Sequence, residues 1–420
     1  METAIPLLSN LGHFLAQLIL IILTAQLCGK IFQLFKQPAV IGEVVAGILL
    51  GPSFFGLYFP TEFQFVFAKS TLGNLQIISQ LGLILFMFTV GLHARPMAWD
   101  GSGKKALFIS SVSIIFPFSL GVLIAPQLYE VFAQQDTTEM SFALFLGISL
   151  SITAFPVLAR ILQDRNMSHT ETGMMALTCA AIDDVAAWTI LAGIIGFSKN
   201  EGWQPFLWTL GSMAFGVLIF IKGVSPLMSH LIQKNQLSEK YQFILGMFFL
   251  LSSALYFEWS GVHALFGAFL AGASMPNDPR FRDFLKLRIE SLGALIFLPV
   301  FFAMTGLRTQ IGLLDNWQAW QVCLGITGLA IIGKLGGGLV ASKVTGFSWK
   351  DSFVIGVLMN TRGLMELIVL NIGLELGIIS PSLFAIMVIM ALITTFMAGP
   401  CIDLMMPNGR SRVNVISKYS

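Results

Sequence analysis

The chain is predicted to be an all-α polytopic membrane protein of about thirteen transmembrane helices, arranged as two inverted repeats with crossed broken helices. Three observations lead there: an apolar composition, evenly spaced apolar runs, and two motifs that recur in the same order. Of 420 residues, 55% are hydrophobic and 11% charged, whereas soluble domains carry about 25% charged residues. The mean hydropathy of +0.81 points the same way.

With about 20 apolar residues needed per span, runs fall at 11–33, 38–55, 73–93, 104–126, 141–162, 172–197, 205–227, 239–258, 261–275, 287–307, 317–343, 350–375 and 381–404. The first run lacks a basic stretch before it and is long enough to span, so it reads as helix 1 and not as a cleaved signal. Basic residues cluster after odd-numbered runs: Lys30 and Lys36, then Arg95, Lys104 and Lys105, then Arg160 and Arg165, then Lys234 and Lys240. Arg280, Arg282, Lys286 and Arg288 follow the ninth, Lys343 and Lys350 the eleventh, and Arg410, Arg412 and Lys418 the last. The other connections offer Lys69, Lys199 and Arg308. The positive-inside rule then places the N-terminus outside and the C-terminus in the cytoplasm.

Several classes are excluded. The net charge is only +2 and the bases are scattered, so nucleic acid is not an expected partner. Cys28, Cys179, Cys323 and Cys401 lie singly in apolar runs, which signals neither disulfides nor zinc. His13, His93, His169, His230 and His263 have no metal-site spacing. No nucleophile, cofactor motif or channel-filter signature is present, so neither an enzyme nor a channel is expected.

The repeats are legible. "IGEVVAG" (41–47) resembles "FGAFLAG" (266–272), and "FMFTVGLHAR" (86–95) resembles "FFAMTGLRTQ" (301–310). Partners stand seven helices apart, an odd number, so the halves are inverted, as in many secondary transporters. Such carriers bind substrate near the midplane between interrupted helices. Two interruptions occupy corresponding places. In "SITAFPVLAR", Pro156 removes a backbone donor and should free carbonyls near Ser151 to Thr153. In "MNTRGLMELIVLNIG", Asn360, Thr361, Arg362 and Gly363 crowd polar and flexible residues into an apolar span. Irregular backbone at this depth must be buried in protein or line a wet cavity.

Intramembrane charges mark function by default. Asp183 and Asp184 sit together in "CAAIDDVAAW" of the sixth run. Adjacent helical residues point about 100° apart, so one carboxylate faces a cation while the other faces a different partner. A cation arriving at Asp184 would displace protons. Lys334, in "LAIIGKLGGGLVA", is the expected countercharge for Asp183, brought close by Gly333, Gly336, Gly337 and Gly338. Arg362 and Glu366, four residues apart, are expected to pair along one helix, with Glu366 either a structural partner or a site member. Glu43 is a weaker candidate, for transport or for a structural contact.

With "SITAFPVLARIL", "AAIDDVAAW", "FFAMTGLRT", "GKLGGG" and "NTRGLMELIVLNIG" in this order, residues 10–404 resemble the monovalent cation:proton antiporter-2 family, including bacterial sodium/proton antiporters and plant cation/proton exchangers. The resemblance implies a homodimer. Scaffold and dimerisation helices would occupy 1–100 and 239–312, an ion-transporting core that moves as an elevator 101–200 and 313–405, a linker helix 201–238, and a short cytoplasmic tail 406–420. It also implies that Asp184 binds the ion with Thr153, that Ser151 lines the site, and that Asp183 salt-bridges Lys334 in an electrogenic exchange of two protons per sodium. Sodium-transporting relatives often carry an acid directly after Arg-Gly, where this chain has Leu364. Potassium-efflux relatives carry a large nucleotide-binding domain after the last helix, where about fifteen residues stand here, leaving regulation to pH, the membrane or a separate subunit.

The expected function is secondary active Na+/H+ antiport, with Li+ or K+ as further cations, in a bacterial inner membrane and without a cofactor. A K+/H+ antiporter or K+ efflux transporter is the alternative. An ion-coupled organic-anion symporter is a further rival, for which Arg362 is the only spare anion-binding donor.

Overall fold

The computed structural model describes residues 9–35, 37–93, 101–135, 137–168, 170–198, 203–233, 238–261, 263–276 and 278–406. Lys36, Arg95, His169, Lys199, Lys234, Arg410, Arg412 and Lys418, with all but the first residue of the expected 406–420 tail, lie outside the described residues.

Among the described residues every element is helical. In order they are α1 (Asn10–Leu34), α2 (Ala39–Leu50), α3 (Phe55–Tyr58), α4 (Pro60–Val66), α5 (Lys69–His93), α6 (Gly101–Phe132), α7 (Glu139–Ser151), α8 (Phe155–Asp164) and α9 (Glu171–Ser198). There follow α10 (Trp203–Ile219), α11 (Ser225–Gln233), α12 (Glu239–Trp259), α13 (Ala264–Ala273), α14 (Pro279–Leu292), α15 (Leu298–Arg308), α16 (Trp317–Val344), α17 (Trp349–Met359), α18 (Leu364–Glu375) and α19 (Pro381–Met405). Each of the thirteen apolar runs carries helix, and nine helical stretches among the described residues are long and apolar enough to cross a membrane on their own. The remaining four runs are interrupted or short: α7 with α8, α13, α14 with α15 across a π-helical turn at Gly293–Phe297, and α17 with α18.

Both interruptions differ from simple kinks. α7 ends at Ser151, residues 152–154 are irregular, and Pro156 is the second residue of α8. There its missing N–H is one that a helix start leaves unpaired anyway, so the proline opens a new helix and does not bend an old one. In the other break, Arg362 lies in the irregular segment before α18, so it does not share a helix with Glu366 as expected. Gly363, the residue before α18, has φ of +154° and ψ of −124°, which L side chains rarely adopt, and a Cβ there would press on Val157.

The chain divides into two compact units. The first comprises Met1–Ile31, Gly42–Pro96 and Ile195–Gln310. In it, small residues let backbones touch, and the contacts obey the repeat read from the sequence. Gly42 of α2 abuts Cys28 of α1, while its counterpart Gly267 of α13 abuts Ser253 of α12. Gly47 of α2 meets Ala303 of α15 and Gly306 meets Val44; Gly272 of α13 meets Phe88 of α5 and Gly91 meets Phe269. Exchanging each motif for its copy turns one contact into the other, the behaviour of two related halves. No hydrophobic force separates helix from lipid in a bilayer, so such close backbone approach supplies the packing.

The second unit comprises Phe32–Ile41, Met97–Ile194 and Ile311–Ser420. It contains two triplets of the same form: α6, the broken α7–α8 and α9, then α16, the broken α17–α18 and α19. Gly121 packs on Gly147 between the first two members of one triplet, and Gly338 on Gly356 between those of the other. Of the glycines beside Lys334, Gly333 lies against Pro117, Gly337 against Val112 and Gly338 against Gly356, whereas Gly336 has open space. Three of the four make close contacts, but with α6 and α17, whereas they were expected to bring Lys334 to Asp183 of α9.

Gly272→Ala places a methyl group on backbone and is expected to destabilise the protein by about 1–3 kcal/mol. Gly336→Ala, in open space inside a helix, is expected to stabilise it by about 0.5–1 kcal/mol. Melting of the purified variants in detergent checks both.

Candidate functional site

The two breaks of the second unit meet and satisfy each other. The Ala154 N–H donates to Thr361 O at 2.9 Å. Arg362 sends Nη1 to Ser149 O at 2.7 Å and Nη2 to Leu150 O at 2.6 Å, two carbonyls that the end of α7 leaves without helical partners. A cation at a helix C-terminus also meets the negative end of the peptide dipoles. The same Nη1 donates to Glu366 Oε2 at 3.0 Å, so the expected pair forms across the start of α18 and not along one helix. The sequence pointed to the carbonyls of 151–153 as free ligands; those of Ser149 and Leu150, just before them, are taken by Arg362.

Each triplet's third helix holds its own break. On α19, Thr395 Oγ1 accepts from Arg362 N at 3.0 Å and donates to Arg362 O at 2.6 Å. On α9, Asp183 receives Thr153 Oγ1 at 2.7 Å, and that hydroxyl also lies 3.0 Å from Met359 O, at the end of α17. Thr153 thus joins both breaks to the acidic helix.

Asp183 is held from three sides. Lys334 Nζ donates to its Oδ2 at 2.7 Å and to Ser113 O at 3.1 Å, while the Ser110 hydroxyl of α6 donates to Oδ1. Lys334 is 0% exposed and Asp183 1%. Asp184 is equally buried at 2% exposed, yet among the described residues neither of its carboxylate oxygens has a hydrogen-bond partner. A buried carboxylate without donors costs several kcal/mol unless a proton or a cation neutralises it. The two adjacent acids therefore differ sharply: one is fully committed and the other is uncommitted.

The remaining candidates are placed as follows. Ser151 Oγ turns to Gly147 O at 2.8 Å and Ile114 O at 3.0 Å. Asn360, 1% exposed, has its Nδ2 3.9 Å from Met397 Sδ and, among the described residues, leaves Oδ1 without a partner. Glu366 leaves Oε1 without one as well. The Pro156 side chain lies outside what is described. Thr153 and Asp184, expected to share the ion, differ in their company: the Thr153 hydroxyl is engaged with Asp183 and Met359, and Asp184 with no donor. The buried atoms left over on Asp184, Asn360 and Glu366 are all oxygens, the donor type that suits a hard cation. Glu43 belongs to the other unit, half-buried on α2.

Sequence reasoning missed Ser110, Ser113 and Thr395. For Ser110 and Thr395 a signal existed: "SSVS" and "TT" interrupt apolar runs, and hydroxyls at helix–helix contacts commonly serve as hydrogen-bonding groups in membranes; Ser113 acts through its backbone carbonyl, which no residue type announces.

A crossed pair of broken helices beside two buried aspartates and a lysine defines a secondary transporter of the cation-exchanging type. A family model described as sodium/hydrogen exchanger, transmembrane, matches residues 19–406, and the chain belongs to that family. It is 40% identical over 393 residues to the Na(+)/H(+) antiporter NhaS4 of Synechocystis sp., covering 92% of this chain and 96% of that one. Over 419 residues it is 36% identical to cation/H(+) antiporter 17 of Arabidopsis thaliana, covering 98% and 50%, respectively. It is 34% identical over 415 residues to K(+)/H(+) antiporter 1 of Saccharomyces cerevisiae, covering 95% and 47%. The chain spans about half the length of these plant and yeast relatives. Among solved structures, the sodium proton antiporter MjNhaP1 of Methanocaldococcus jannaschii shares the fold, with a TM-score of 0.63 at 16% identity, covering 95% of this chain and 98% of that one.

Lys334→Ala leaves Asp183 as a buried charge with hydroxyl donors only, and should cost about 3–5 kcal/mol. Adding Asp183→Asn should recover much of that loss. A double-mutant cycle on detergent melting checks it, and equal melting of the single and double variants would contradict the pairing.

Proposed function

We propose that the chain is a secondary active antiporter that exchanges a monovalent cation, Na+ first, for protons. The observation that carries this reading is the charge balance of the buried interior. Among the described residues, the buried ionisable acids and bases are Asp183, Asp184 and Glu366 against Lys334 and Arg362. Three carboxylates against two bases leave one negative charge uncompensated when all are ionised. Glu366 has Arg362 and Asp183 has Lys334, so the deficit falls on Asp184. One proton or one monovalent cation at Asp184 restores neutrality, and both cannot occupy it together. That exclusion is the minimum physical requirement for exchange.

In this reading Asp184 binds ion or proton, and oxygens near the breaks complete the cation's shell, with Thr153, Ser151 and Asn360 the candidates the sequence offers. Asp183 and Lys334 set the charge. Lysine can surrender its proton where arginine cannot, so opening of the Lys334–Asp183 pair supplies the second proton of an electrogenic cycle. Arg362, with both Nη atoms on Ser149, Leu150 and Glu366, is a brace for the breaks. Only its Nε is left without a partner among the described residues, and one buried donor is little for an anion, which weighs against an organic-anion symporter.

The second unit would be the moving core and the first the scaffold of a homodimer, in an elevator cycle with the N-terminus outside and the C-terminus in the cytoplasm of a bacterial inner membrane. The relative from Synechocystis sp. bears the name of a sodium exchanger. A K+/H+ exchanger is the second reading, favoured by the name of the yeast relative and by Leu364 in place of an acid after Arg-Gly.

The test is reconstitution into liposomes with a trapped pH dye, adding Na+, K+ or Li+ with the membrane potential clamped or free. Na+-driven proton flux that changes on clamping is expected, and Asp184→Asn should abolish it while melting stays intact. Equal or greater flux with K+ selects the second reading, and undiminished exchange by Asp184→Asn would overturn the role of that residue.

A further inference from the structure

One end of the second unit carries a basic cluster that ion exchange does not use. Lys104 and Lys105 stand exposed in the first turns of α6, Lys343 lies half-buried in the last turn of α16, and Lys350 is exposed as the second residue of α17. Packing brings three of these helix ends together: Ala106 of α6, Ala341 of α16, Ile355 of α17 and the loop residue Phe347 share one apolar cluster, with Met175 of α9. Lys105 Nζ lies 5.9 Å from the centre of the Phe347 ring, and Lys343 Nζ donates to Phe347 O at 3.2 Å. Two ammonium groups therefore flank a single residue. Lys343 also lies 5.2 Å from the centre of the Trp349 ring, which is 66% exposed.

No acid neutralises these lysines among the described residues. The nearby carboxylate, Asp351, is engaged elsewhere: Oδ1 receives Thr172 at 2.9 Å and Oδ2 receives Ser348 at 2.6 Å. A tryptophan beside lysines at the end of apolar helices is the arrangement that settles at headgroup level, with the ring among the acyl–headgroup boundary and the ammonium groups outward. Unpaired cations at that depth meet phosphates before they meet any soluble anion. The same lysines follow runs whose exits the positive-inside rule assigns to the cytoplasm, where the leaflet is anionic.

We propose that Lys105 and Lys343, flanking Phe347 beside Trp349 and supported by Lys104 and Lys350, form a binding site for the phosphate of an anionic phospholipid in the cytoplasmic leaflet. The occupant is a lipid and not free phosphate, because the site pairs its charges with an exposed indole and sits where apolar helices end. A bound headgroup would tether the second unit to the leaflet at the start of α6 and α17 and the end of α16, the helices that carry Ser110, the second break and Lys334.

The experiment compares the wild-type protein with Lys105→Gln/Lys343→Gln, and with Lys30→Gln/Lys240→Gln as a charge-matched control drawn from exposed lysines elsewhere. Each is titrated in detergent with a fluorescent phosphatidylglycerol and, separately, with inorganic phosphate as competitor. At about fivefold per lysine, affinity for the lipid should fall roughly 25-fold in the Lys105/Lys343 variant and remain within about twofold in the control. Millimolar phosphate should not displace the lipid. In vesicles of phosphatidylcholine alone, the Lys105/Lys343 variant and the wild type should exchange ions equally, because neither lysine belongs to the ion site. Equal lipid affinity in all three proteins would overturn the proposal, as would displacement by phosphate, which would assign the cluster to a soluble anion. Failure of ion exchange in every protein would refute the proposed function and leave the lipid titration as it stands.

Discussion

The second unit depends on one constraint: ionised groups buried in an apolar bundle must be matched, and among the described residues Asp183 has its match while Asp184 has none. Lys334, Thr153 and Ser110 converge on Asp183 from α16, the first break and α6. Removing any one of these leaves a buried charge short of donors, so the three elements are held in register by electrostatics as much as by packing. Their reward for holding Asp183 is an adjacent carboxylate kept at the same depth with nothing attached. Two neighbours on one helix, about 100° apart, thus meet opposite surroundings.

The breaks obey the same logic. A helix interrupted in a membrane exposes carbonyls and N–H groups that lipid cannot satisfy. Here each break repairs the other: Arg362 caps α7, and Ala154 donates to Thr361. The guanidinium also requires an anion, and Glu366 supplies it from the first turn of α18. Polar residues that look like ligands in the sequence are in part the scaffolding that lets an irregular backbone exist at that depth. Arg362 is the clearest case, being wholly buried and engaged with both breaks at once.

The inverted repeat expresses itself through glycine. Gly47 with Gly306 and Gly91 with Gly272 are equivalent contacts made by exchanged motifs in the first unit. In the second, Gly121 with Gly147 and Gly338 with Gly356 are equivalent contacts between successive helices. Between the equivalent breaks the side chains have diverged. Asp183 braces one and Thr395 the other, so a symmetric frame holds an asymmetric charge.

Much of this was readable in the amino-acid order, because the bilayer imposes length and polarity on every span. Apolar run length located the helices, the recurrence of "IGEVVAG" and "FMFTVGLHAR" announced the repeat, and the cost of burying charge singled out Asp183, Asp184, Lys334, Arg362 and Glu366. Tertiary structure decided what those charges do. Whether Pro156 bends a helix or starts one, and whether Arg362 offers its donors to a ligand or spends them on Ser149 and Leu150, turns on which backbone atoms lie within 3 Å across the two breaks. The sequence shows Ser110 and Thr395 as polar groups in apolar runs, but which atoms they and the Ser113 carbonyl would meet was hidden for the same reason. Run length and burial cost are properties of single segments and can be read along the chain, whereas hydrogen bonds between residues some 30 to over 200 positions apart exist only once packing has chosen which segments meet.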